Sequence, residues 1–249
     1  GDQSLQADNL AFSNNLEASK KGDSLDIKKG DSKLTLTKAS AKSGGNQINL
    51  AEASASISSL HAKLSVPEAT GDISGTIDIS TNNLSGQLSD NSEADLEAFK
   101  MSAPVNVNLT KSSKTAVLKT FDLSLDNASF EKNDLNAQLA SFGAQLANIA
   151  LKQSDNGISV NSNRSDLAFK QANLTSKDIT GSLDLLAINL SETSVQQSDE
   201  SLKVVSDTAV TSQSLNTTLR NLPNTQPETT LKYDTFDFKN QVSWQQSSD

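Results

Sequence analysis

Residue types that do chemistry are sparse in this chain. There is one histidine, His61, and no cysteine. Without Cys there are no disulfides, iron–sulfur clusters or thiol nucleophiles. A triad would have to use His61, and a metal site built on several imidazoles is impossible. His61 lies between Leu60 and Ala62, which places it on the wet side of a strand. Serines are plentiful, but no G-x-S-x-G elbow, phosphate loop or dinucleotide fingerprint occurs. The carboxylates Asp90, Glu93, Asp95 and Glu97 have the chemistry of a hard-cation site. They lack the glycine and spacing of an EF-hand, so a solvated acidic loop is the simpler reading. KKGDS occurs at Lys20–Ser24 and again at Lys28–Ser32. A Ca²⁺-binding β-roll needs paired glycines in tandem, which are missing here. The two copies instead read as solvated Gly-Asp turns bracketing a short strand, Leu25–Lys28. The chain is therefore expected to be no enzyme, with no catalytic residue, cofactor or metal.

The formal net charge is −9, which excludes the basic surface that nucleic acid requires. Hydrophobic residues make up 35% of the chain, and the aromatics are eight Phe, one Tyr and one Trp. A compact globular domain is richer, near 45–50% apolar. An elongated β-structure with a large surface for its volume fits this composition. No apolar run approaches the length of a transmembrane helix. The opening Gly1-Asp2-Gln3 reads as a cleavage boundary, so an anchor or signal is expected upstream.

The elements that must position any site are strands. Apolar residues alternate with Ser, Thr, Asn, Asp and Lys in segment after segment, as in Val105–Val107–Leu109 and Phe121–Leu123–Leu125. Leu167–Phe169 and Leu183–Leu185 continue the pattern, and Phe236, Phe238, Val242 and Trp244 share a parity near the end. Turn signals separate the runs at 42–46, 67–72, 81–83, 89–95, 110–114, 131–134, 154–157, 175–178 and 196–200. No βα alternation occurs, so an antiparallel meander is expected. Several runs switch parity midway: Ile48 and Leu50 are even, while Ala51 to Ile57 are odd; Leu125 is odd, while Ala128 and Phe130 are even. Such switches need bulges or corners and imply strongly curved strands. In 135–151 the spacing of Leu135, Leu139, Phe142, Leu146 and Ile149 also admits a helix, whereas a strand needs switches near Phe142 and Ile149. A second short helix is admitted over 213–223.

FDLSLDNASF, NDLNAQLASF and SDLAFKQANLTSKDITGSLDLLAINL, with SLDIKKGDSKLTLTKASA before them, share L-x-L-x-[DN]-[AG]-x-[FL] phrases of drifting register. This texture, over roughly 5–240, resembles the AsmA-like superfamily of Gram-negative envelope proteins. The resemblance implies a curved, mainly antiparallel all-β sheet forming a taco-like groove or open barrel. It implies one elongated domain over 1–249, part of a larger membrane-anchored periplasmic protein. It also implies phospholipid or another acyl lipid held on the concave apolar face, in envelope lipid transport or outer-membrane maintenance, with other envelope proteins as partners. The groove-facing candidates are Val105, Val107, Leu109, Phe121, Leu123, Leu125, Leu167, Phe169, Leu183 and Leu185. The competing reading is a structural or adhesive surface protein, a β-solenoid or β-sandwich stalk at the cell surface without a small ligand. Any open sheet edge would serve as an assembly site.

Overall fold

The computed structural model describes residues 3–198, 201–220 and 228–247. These residues form thirteen strands: β1 (Gln3–Gln6), β2 (Asn9–Lys21), β3 (Ser24–Ser43), β4 (Asn46–Ser65), β5 (Thr70–Gln87), β6 (Glu93–Leu109), β7 (Ser113–Lys132), β8 (Leu135–Ser154), β9 (Gly157–Ser162), β10 (Arg164–Thr175), β11 (Ile179–Gln197), β12 (Ser201–Arg220) and β13 (Glu228–Ser247). All thirteen belong to one strongly curved antiparallel sheet. β1 and β2 both pair with β3 and make one interrupted edge row. β9 and β10 lie end to end between β8 and β11. The sheet is thus a meander of eleven rows, with β1/β2 at one edge and β13 at the other. Among the described residues these two edges do not pair, so the sheet is open.

The sheet has a single layer. A folded globular monomer of 26.4 kDa exposes about 10,600 Å², whereas this chain exposes 15,958 Å². Among the described residues the only buried hydrophobics are Ala62 and Ala103. A β-sandwich is excluded, because it would bury a second sheet's face.

Cross-strand register sorts side chains by side. One row across the sheet reads Leu10–Leu36–Ala53–Thr81–Phe99–Leu125–Phe142–Phe169–Leu186–Ser212–Phe236. Two residues along lies Phe12–Leu34–Ala55–Ile79–Met101–Leu123–Ala144–Leu167–Ile188–Val210–Phe238. The row between them points the other way and is small or polar: Ala11–Thr35–Ser54–Ser80–Lys100–Ser124–Gly143–Ala168–Ala187–Thr211–Asp237. One side is therefore greasy and the other wet.

Two lines of irregularity run across the sheet; the first crosses every row from β3 to β13, and the second is marked as far as β11. On the first, Lys38, Asn83, Asn127, Gln171 and Ser214 have φ of 49°, 49°, 48°, 51° and 53°. They occupy alternate rows at one level, opposite Ala51, Glu97, Ala140, Asp184 and Asp234, where the pairing skips one position. Their spacing of 45, 44, 44 and 43 residues is the repeat of a two-strand hairpin. The second line contains Ser59 and Asn148, with φ of 54° and 52°. It continues through the break at Asn163 and register shifts at Glu17/Ala18, Ser58/His61, Ser102/Val105 and Leu190/Glu192. Pro104, which has no N–H to donate, falls within one of these bulges.

At the first line the apolar parity switches in every row, and at the second it switches in β3, β4, β7, β8, β11 and between β9 and β10; side-chain contacts show what the switch does. Ser162 and Ser165 are three residues apart, a distance of about 10 Å in a straight strand. Their hydroxyls are nevertheless 3.2 Å apart. Tyr233 and Phe236, also three apart, have ring centroids 6.4 Å apart. The Tyr233 hydroxyl lies 2.6 Å from that of Ser212, which shares a row with Phe236. Residues three apart thus lie on one side, and the strands fold toward that side. The lines are corners that keep one apolar surface continuous over three panels.

The corners account for the departures from the sequence reading. Residues 135–151 are strand β8, not helix. Leu139 to Phe142 spans the corner at Ala140, and Leu146 to Ile149 spans that at Asn148; a spacing of three at two corners mimics a helix. Residues 213–220 belong to β12 and are also strand, while 221–223 lie outside the described residues. Residues 81–83 are not a turn but the first corner of β5. Only the first KKGDS is a turn. The second lies inside β3, so Leu25–Lys28 is not a short separate strand. There a Cβ on Gly30 would come 2.9 Å from Leu60 Cβ, and Asp31 accepts the Ser59 N–H at 2.8 Å. The motif makes room for Leu60 and pins the bulge facing it. The other turn signals up to 175–178 fall between strands, and part of 196–200 lies outside the described residues.

A left-handed conformation costs an L-residue about 1–2 kcal/mol, less for Asn and nothing for Gly. Asn127→Val is therefore expected to lower the thermal midpoint and Asn127→Gly to keep or raise it, as read by circular dichroism; equal midpoints would remove the corner. In Gly157→Ala the new Cβ would lie 2.0 Å from the Gln197 carbonyl oxygen. That variant should lose amide protection in β9 and the facing part of β11 before the rest of the sheet, as read by hydrogen exchange.

Candidate functional site: an uncovered apolar trough

Three panels build the apolar surface. In the central one, Phe142 and Phe169 pair across adjacent strands with centroids 4.7 Å apart, flanked by Leu125 and Leu186. Beyond the second corner runs Ala18–Ile27–Ala62–Ile73–Val107–Ala116–Leu151–Val160–Val195–Val204–Trp244. Beyond the first runs Ala39–Leu50–Leu84–Leu96–Ala128–Leu139–Ala172–Leu183, in line with Leu215–Tyr233. Eleven rows at about 4.8 Å each make the trough roughly 50 Å long. Nothing among the described residues covers it. The mid-sheet side chains Leu123, Leu125, Phe142 and Phe169 are half-buried by their neighbours alone.

The sequence-derived candidates distribute over these panels. Val105, Val107 and Leu109 line the panel beyond the second corner. Phe121, Leu123, Leu125, Leu167 and Phe169 lie in the central panel, and Leu183 lies beyond the first corner. Leu185 stands on the wet side, in a row with Asp126, Ser141, Lys170 and Gln213. Leu183 and Leu185 straddle the corner at Asp184, which places them on opposite sides although simple alternation would put them on one. The candidates leave out Phe99, Met101, Phe142, Leu186 and Ile188 in the trough's centre. Phe142 was hidden by the helical spacing of its segment. Leu186 and Ile188 take the opposite parity from Leu183, and only the corner explains why.

The wet side carries an ordered polar ladder. Asp78, Asp122 and Asp166 lie 44 residues apart in one row. Ser102 donates to Asp78 at 2.6 Å, Gln145 donates to Asp122 at 2.7 Å, and Arg164 Nε meets Asp166 at 2.5 Å. A depression of about 700 Å³ lies over this ladder. Its walls are the standing side chains and its floor the sheet backbone, and it brings together no nucleophile and base.

The acidic stretch does not converge. Asp90 binds Lys132 Nζ at 2.6 Å and accepts the Ser92 N–H at 3.1 Å. Glu93 accepts from Gln87 at 3.1 Å, and Glu97 accepts from Asn127. Among the described residues no three metal-ligating side chains gather. His61 is exposed on the wet side, opposite Ser74.

The Lys132 ammonium, with the Ser92 N–H beside it, holds the Asp90 carboxyl well below the ordinary carboxylate range. A depressed folded-state value stabilises the fold above the unfolded value of about 3.9 and loses that contribution as pH falls below it. The Asp90 carboxyl resonance should therefore stay at its ionised position as pH falls through about 3.9, the value of an aspartate in an unfolded chain. A normal titration curve would show that the Lys132 contact is not formed. No family model matches the chain, and neither a curated protein nor a solved structure matches it.

Proposed function

We propose that this chain is a periplasmic lipid trough that holds acyl chains on its apolar side, in envelope lipid transport or outer-membrane maintenance. The observation that carries the reading is the uncovered apolar surface, continuous over eleven rows and three panels. Soluble monomers seldom leave more than a few hundred Å² of contiguous apolar surface exposed, and larger patches mark binding sites. The Gram-negative location and the membrane-anchored parent follow from the AsmA-like texture of the sequence.

The dimensions suit lipid better than a small ligand. One leaflet's hydrocarbon is about 15 Å deep, so the trough is some three times longer than one acyl chain. Each buried methylene contributes about 0.8 kcal/mol. Ten of them contribute about 8 kcal/mol, against an association cost of about 4–15 kcal/mol. The balance is modest and has no directional component, which suits a chain that slides from row to row. The wet side keeps such a trough soluble.

The test is native mass spectrometry of the purified chain, organic extraction, and uptake of a fluorescent phospholipid. Co-purifying phospholipid or fatty acid is expected. Leu123→Glu with Phe142→Glu should reduce uptake tenfold or more, whereas Ser124→Glu, on the wet side between them, should not. A chain that is lipid-free and takes up no added phospholipid overturns the reading in favour of a structural or adhesive role.

A further inference from the structure

The two edges of the sheet are built differently. The β1/β2 edge is interrupted at Ala7–Asp8 and bulged between Glu17 and Ala18. Breaks and bulges of this kind blunt an edge against pairing with another strand. β13 has no such protection. It runs twenty residues without glycine or proline and pairs with β12 without a register shift. Tyr233 apart, its residues are exposed, including Phe236 at 52% and Phe238 at 48%. Its outer side presents a full row of backbone N–H and C=O groups, and among the described residues no strand lies against it.

We infer that β13 is completed by β13 of a second copy, antiparallel, about a two-fold axis normal to the sheet and passing near Asp237. Three observations fix this occupant and orientation. First, every adjacent pair in the sheet is antiparallel, and the two-fold continues that pattern. A translated copy would set β2 against β13 in parallel, because the eleven rows leave both edges running the same way. Second, Asp237 lies in the central panel, three residues from the corner at Asp234, and from Thr235 onward β13 pairs with β12 without interruption. An axis there pairs Thr235–Lys239 with the same uninterrupted stretch of the second copy. Third, that register places Phe236 opposite Phe238 of the partner subunit, twice, on the apolar side. Lys239 then lies diagonal to Asp237 of the partner subunit and offsets the facing of the two Asp237 carboxylates. The trough continues unbroken and doubles in length. This assignment stands on edge geometry and does not rest on the lipid reading.

The chain has no cysteine, so one introduced thiol reports the contact. Directly opposed antiparallel residues have Cα atoms about 4.5–5.5 Å apart, within disulfide reach. Asp237→Cys is therefore expected to form a covalent dimer under mild oxidation. Ala11→Cys, at the same level on the opposite edge, should remain monomeric. The unmodified chain should sediment at twice its 26.4-kDa mass at micromolar concentration. Phe236→Lys with Phe238→Lys should return it to monomer with its circular dichroism retained. Sedimentation as a monomer with no cross-link at Asp237→Cys overturns the inference. Cross-linking confined to the Ala11→Cys and Asp237→Cys double variant shows head-to-tail pairing and also overturns it.

Discussion

The backbone hydrogen-bond ladder holds this molecule together almost alone. A globular domain shares the work between its ladder and a buried core. Here the sheet has one layer, Ala62 and Ala103 are the only buried hydrophobics among the described residues, and each row touches only its two neighbours. Side chains contribute through cross-strand rows such as Leu125–Phe142–Phe169–Leu186, where each is half-covered by the next. Such pairs add a few tenths of a kcal/mol to about one each, so long strands are needed for the sum to suffice. Strands of up to twenty residues, against a usual five or six, answer that need.

A ladder this long would twist into a propeller unless its curvature were directed. The two lines of left-handed and bulged residues direct it. Where a line switches the parity of a strand, two successive side chains fall on the wet side and the strand turns toward the apolar one, which is why Ser162 and Ser165 meet. Asn suits these positions because its short polar side chain tolerates the left-handed region. The N-x-S/T sequences at Asn83 and Asn127 are corner residues followed by an apolar and a polar position, so local geometry accounts for them.

Fold class was legible because period-two alternation needs no tertiary knowledge, and turns with Gly or Asn between polar neighbours announce themselves. Parity switches were legible as well: those at Ala51 and Asn127 fall at true corners. What could not be read was their alignment. A corner in one strand is a local event, and its coincidence with those of its neighbours depends on hairpin lengths of about 44 residues, which the drifting phrases only hint at. For the same reason Leu183 and Leu185 looked like one face, and β8 looked partly helical. The roles of Gly30 and Asp31 were illegible because Leu60 and Ser59, their partners, lie about thirty residues away.

The hairpin repeat also makes the cross-section independent of chain length. Each unit of about 44 residues contributes two rows, both corners and one full set of panels, and meets only the units beside it. In such quasi-one-dimensional arrays stability is a sum over neighbours. Deleting or duplicating one unit would change the span by about 10 Å and leave the width, the bends and the greasy lining as they were. Reach is thus a heritable variable that gene duplication can adjust in discrete steps, much as a tiled gutter is cut to the distance it must bridge.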